Sequence, residues 1–97
     1  MRVRYTPRAQ SDVDEIYRSI AENNVERAQR VEDATRAHGE MLGMEPELGV
    51  ATGHNDMRRW PMAKLGYAIF YRIDWATVDV LRVVPGKQVK NLNRVPR

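Results

Sequence analysis

The hydrophobic pattern of this chain changes period once, and that switch restricts its fold more than any other feature. Val13, Ile16, Tyr17 and Ile20 recur at i, i+3, i+4 and i+7, which places them on one face of a helix and turns Asp12, Glu15 and Arg18 toward water. Ala28, Val31, Thr35, His38 and Leu42 continue at steps of three and four as a narrower stripe. Past residue 53 the period becomes two. Tyr67 to Ile73 and Val78 to Val84 are rich in the aromatic and β-branched residues of strands. Helices first and strands afterwards predict an α+β domain.

Local signals set the boundaries. Arg2 to Thr6 alternates as a strand, and Thr6-Pro7 reads as a helix start, a hydroxyl cap followed by proline at the first helical position. Asn23 with Glu26 reads as a second capping pair, so two antiparallel helices are expected at about 8–22 and 24–42. Gly43, Pro46, Gly49 and Gly53 break regular structure from about 43 to 53. Met57 to Met62 is a short strand ended by Pro61, and Asp74 to Thr77 is a tight connection between the two strong strands. The expected architecture is a single domain over 1–97: an N-terminal strand, a helical hairpin, then a three-stranded antiparallel meander forming a small sheet packed on the helices.

Both strong strands carry apolar residues on two faces. Tyr67, Ile69, Tyr71 and Ile73 line one side of the first, opposite Ala68 and Phe70; Val78, Val80 and Val84 line one side of the second, opposite Leu81 and Val83. Two helices cover one face of a small sheet, so the other is expected to meet the tail, a partner or water. Charge adds a second hint. Residues 1–49 hold seven arginines against ten carboxylates, whereas residues 50–97 hold nine cations against three carboxylates, a swing from −3 to +6. The second half is therefore expected to meet something negative.

Several function classes drop out. The chain has no cysteine, which removes thiolate catalysis, disulfides and sulfur-ligated zinc. Its two histidines, His38 and His54, have no ligand spacing, so neither a metal nor a cofactor is expected; His38 sits on a helix stripe as a packed residue. No apolar run approaches the ~18 residues of a membrane helix, and no apolar stretch follows the N-terminal Arg2 and Arg4, giving the expectation of a cytoplasmic protein. Arg58, Arg59, Arg72 and Arg82 remain, on three neighbouring strands, where side chains sharing a face can form one basic cluster. Such a cluster could meet an acidic partner, or stabilise a phosphoryl-transfer transition state with His54, Tyr67 or Tyr71 moving the proton.

Arg4-Tyr5-Thr6-Pro7 with Ala9 and Asp12 to Ile16 resembles the first strand and helix of the RelE/ParE superfamily of bacterial toxins. Met57 to Pro61, Tyr67 to Arg72 and Val80 to Val83 resemble its sheet, in the family's order. The resemblance implies a toxin of a type II toxin–antitoxin system. Aligned on Gly86-Lys87, the catalytic arginine of the messenger-cleaving RelE-like branch falls on Gln88 and its terminal tyrosine on Arg94, and no tyrosine or histidine follows Tyr71. The likeness is thus to the ParE-like branch, with Pro85 where those chains often carry histidine.

This resemblance implies a non-enzymatic inhibitor of DNA gyrase, neutralised by a cognate ParD-like antitoxin in a hetero-oligomer. An acidic, amphipathic segment crossing the sheet would meet Arg58, Arg59, Arg72 and Arg82. The target would be met by the basic tail, Lys87, Lys90, Arg94 and Arg97, where Val89, Leu92 and Val95 make a small apolar stripe. The alternative is a ribosome-dependent messenger endoribonuclease using Arg59, Arg72, Arg82 or Lys87 around the scissile phosphate.

Overall fold

The computed structural model describes residues 1–88. Lys90, Arg94, Arg97 and the Val89, Leu92, Val95 stripe lie outside the described residues. In chain order the elements are β1 (Arg2–Tyr5), α1 (Pro7–Ala21), α2 (Val25–Met44), β2 (Val50–Ala51), β3 (Met57–Met62), β4 (Tyr67–Asp74) and β5 (Thr77–Pro85), followed by a single 3-10 turn at Gly86–Gln88. The sheet order is β1-β5-β4-β3-β2, with β1 parallel to β5 and every other pair antiparallel. The α+β expectation holds, with β1 closing against the last strand and a two-residue strand, β2, added at the far edge.

The first helix starts as its sequence dictates. The Thr6 hydroxyl accepts from the Ala9 N–H at 3.1 Å, and Pro7 occupies the first turn. The second cap sits one residue later than expected: Asn24, not Asn23, accepts from the Arg27 N–H at 3.0 Å. Asn23 instead closes the last turn of α1, its N–H donating to the Ile20 carbonyl. Nor does Gly43 stop α2, which runs on to Met44. A Cβ at Gly43 would stand 2.7 Å from a Val3 methyl and 2.8 Å from the Met1 carbonyl, so glycine there lets β1 press against the helix.

Ala9, Val13, Leu42, Met62, Ile69, Tyr71, Val78, Val80 and Val83 form the main core between helices and sheet. Ile16, Tyr17 and Ile20 of α1 are half-buried beside Val13. A second buried cluster, Ala68, Phe70 and Val84, lies on the opposite face. These three are already buried within the single chain, so that face does not leave them to water. Val83 and Val84 sit on the sides opposite to those expected from strict alternation. The cause is a bulge: Tyr71 pairs with Val80 and Phe70 with Arg82, leaving Leu81 as the extra residue. Pro61 does not end β3 either, because β2 pairs only with Arg58 and Arg59 and has ended before Pro61 is reached.

Candidate partner-binding surfaces

Where β1 ends, the edge of β5 would be left unpaired, and α1 takes over its hydrogen bonds. The Thr6 N–H donates to the Val80 carbonyl at 3.0 Å and the Thr6 hydroxyl to the Leu81 carbonyl at 3.3 Å. The next donor, the Val83 N–H, goes to the Asp12 carboxylate at 2.9 Å. Arg82 reaches the same carboxylate at 2.8 and 3.3 Å through two nitrogens. Asp12 is only 8% exposed, so the helical pattern that turned it toward water is overridden.

Arg82 is thus spent on the fold, and Arg58 is too. The Arg58 guanidinium donates to the Gly49 carbonyl at 2.6 Å and the Glu47 carbonyl at 3.3 Å, clamping the α2–β2 loop. Register puts Arg58 opposite Tyr71, on the helix side, whereas Arg59 pairs with Phe70 and Arg72 with Met57, on the other side. The four arginines therefore do not share one surface. Arg59 and Arg72 flank the Phe70 cluster, Arg72 donating to the Asn55 carbonyl at 3.4 Å. On the same sheet face Arg4 grips Asp79 at 3.1 and 3.2 Å, and the Thr77 hydroxyl adds a bond at 3.0 Å. Hydrogen bonding from Arg4 holds the Asp79 carboxyl below its ordinary range.

The tyrosine and histidine candidates for proton transfer are also placed. The Tyr71 hydroxyl accepts from the Gly49 N–H at 2.8 Å and donates to the Pro46 carbonyl at 2.6 Å, and burial raises its pKa. Tyr67 is half-buried beside the main core. His54 lies in the β2–β3 loop, its carbonyl accepting from the Met57 N–H at 2.8 Å. His38 is half-buried on α2, and its Nδ1 accepts from the Trp60 indole N–H at 3.0 Å, as its place on the apolar stripe led one to expect. Lys87 is exposed in the final 3-10 turn. Among the described residues no group of three or more potential metal ligands occurs, and no helix is long and apolar enough to cross a membrane.

Sequence reasoning missed a different basic surface. A groove of about 500 Å³ runs between α2 and the β3–β4 turn, with Val31, Ala34 and Leu65 along it. Arg27, Arg30 and Lys64 rim it, and among the described residues Asp33 is the only acid lining it. The available signal was Arg27 and Arg30 at i, i+3 on α2, one turn from Val31 and Ala34. An apolar trough with a cationic rim suits an amphipathic segment bearing carboxylates.

These features define a class: a two-layer α+β domain whose basic groups divide between fold-holding pairs, an open groove with apolar residues along it, and a sheet face whose apolar cluster is already buried. By structure, the chain is similar to one described as "Chromosomal ParDE TA system from P. aeruginosa", at a TM-score of 0.77 and 17% identity, covering 88% of this chain and 95% of that one. No curated protein matches it by sequence. The family model described as "ParE toxin of type II toxin-antitoxin system, parDE" matches residues 3–90, and the chain belongs to that family.

Proposed function

We propose that this ParE-family toxin acts by binding DNA gyrase, without chemistry of its own, and is neutralised by a ParD-like antitoxin. The observation that carries the reading is the commitment of Arg82 and Tyr71 to the fold. A ribonuclease would call on cations among Arg59, Arg72, Arg82 and Lys87 to meet a phosphate and on a group able to move a proton, and one candidate of each kind is already engaged. Arg82 is held in two bonds to Asp12, and the Tyr71 phenol is fixed between two backbone groups. Rebuilding either for catalysis would unpair buried groups.

The antitoxin would lay an acidic, amphipathic segment in the α2 groove, its carboxylates on Arg27, Arg30 and Lys64, and continue toward Arg59 and Arg72. Arg58 and Arg82 would support these surfaces from behind rather than touch the partner. Lys87, with Lys90, Arg94 and Arg97 beyond the described residues, would serve the target. Purified toxin in a gyrase supercoiling assay, run beside primer extension on messenger RNA from expressing cells, tests this. Lost supercoiling with linearised DNA and intact messages is expected; active gyrase with messages cut at codon boundaries would transfer the chain to the ribonuclease reading.

A further inference from the structure

We infer that Trp75, at the tip of the β4–β5 hairpin, is an anchor that seats in an apolar cleft of the protein target, on a surface separate from the antitoxin's. The inference rests on the reading above that the chain acts by binding a protein. Trp75 is 94% exposed, the most exposed of the large apolar residues described. Its backbone lies in the left-handed region at φ +59°. A two-residue hairpin loop needing positive φ ordinarily takes glycine, asparagine or aspartate, and a bulky side chain there is strained. The chain recovers neither disadvantage internally, because the indole buries almost none of its surface. Strain and exposure of this kind persist where a residue serves contact with something else, and tryptophan is the residue most enriched among dominant interface contacts.

The surroundings select the occupant. Met1 donates its N-terminal amine to the Gly43 carbonyl, and Arg2 pairs in register with Thr77, which brings exposed Met1 and Met44 to the same end as the tip. Asp74 adjoins Trp75, and Asp56 stands in the neighbouring β2–β3 loop next to Asn55, whose carbonyl accepts from Arg72. Arg2 and the Met1 ammonium offset these two charges, and Arg4 is already taken by Asp79. An apolar tip with no net charge gives neither nucleic-acid phosphates nor an acidic antitoxin segment a counter-charge. It fits a protein cleft with an apolar floor. The nine residues of β5 also set the tip about 30 Å from Lys87, one strand length away.

The test pairs Trp75→Ala with Trp75→Gly, the second of which relieves the left-handed backbone. Both are scored for growth arrest on expression, for gyrase inhibition, and for antitoxin affinity by titration. The inference expects Trp75→Gly to melt no lower than the parent chain. It also expects both variants to lose growth arrest, with target inhibition weakened about thirty-fold and antitoxin affinity unchanged within about twofold. Unchanged growth arrest overturns it. Weakened antitoxin binding with growth arrest intact also overturns it, since Trp75 would then belong to the antitoxin interface. A loss of binding to short single-stranded or duplex DNA would likewise overturn it in favour of a stacking site. Should the parent chain arrest growth without touching supercoiling, the gyrase reading fails while growth arrest still decides the role of Trp75.

Discussion

The Asp12 carboxylate on α1 holds Arg82 on β5 at 2.8 Å across seventy residues of sequence, and the adjacent Val83 N–H at 2.9 Å. One side chain thus fastens the helical layer to the sheet just past the bulge. Removing it leaves a buried N–H and a half-buried guanidinium without their acceptor. Asp12→Ala is expected to destabilise the chain by about 3 kcal/mol. Arg8 also approaches Asp12, at 3.7 Å, but its side chain is largely exposed, so Arg8→Ala should cost under ~0.5 kcal/mol. Urea unfolding of both variants checks the contrast, and equal losses would contradict it.

Tyr5 and Gly39 make a second test. The Tyr5 hydroxyl is buried with no hydrogen-bond partner among the described residues, and a Cβ at Gly39 would stand 2.5 Å from it. Tyr5→Phe should therefore be neutral or stabilising by up to ~1 kcal/mol. Gly39→Ala should destabilise the parent chain through the clash. In the Tyr5→Phe background it should instead gain up to about 1 kcal/mol from helix propensity. A double-mutant cycle by thermal denaturation shows whether the sign reverses.

Much of this fold was legible because period and cap residues act locally. Thr6-Pro7 starts α1 and the aromatic and β-branched runs make β4 and β5, all through interactions within a few residues. What escaped depends on partners far away in sequence. Asp12 reads as a solvent residue until Arg82 and Val83 arrive beside it. Val83 and Val84 exchange faces because of one extra residue at Leu81, which no alternation pattern reveals. Gly43 reads as a breaker until Val3 and Met1 need the room. The arginines were visible as a set, but their division between clamps and open surface follows from strand register. Trp75 was visible only as part of a tight turn; its exposure and left-handed backbone are properties of the folded hairpin.

Acid and alkali should act on different groups. Hydrogen bonds from Arg4 depress the folded Asp79 pKa, so its contribution is present above the unfolded carboxylate value, near 4, and is lost as pH falls through the folded one. Burial raises Tyr5 and Tyr71, so their unfolded phenols ionise first and stability falls as pH rises above about 10. Unfolding measured against pH should show a shallower acid limb for Asp79→Asn and a shallower alkaline limb for Tyr71→Phe. An unchanged limb in either variant would contradict the assignment.

The α2 groove and the Arg58 clamp predict separate behaviour toward an antitoxin. Arg27→Glu with Arg30→Glu should lower the association rate about tenfold and weaken its salt dependence, while the melting temperature holds. Arg58→Ala should do the reverse, lowering stability by releasing the Glu47 and Gly49 carbonyls while leaving the association rate close to the parent value. Stopped-flow association at two ionic strengths beside thermal denaturation distinguishes them.

On the function proposed above, the toxin inhibits gyrase by occupying it. The most direct measurement titrates purified toxin against fixed amounts of gyrase in a supercoiling assay, then adds antitoxin. The expected result is inhibition whose midpoint rises in proportion to the gyrase present, reversed when antitoxin is added. Undiminished supercoiling at a large molar excess of toxin, with RNA cleaved by trace amounts of it, would contradict the claim.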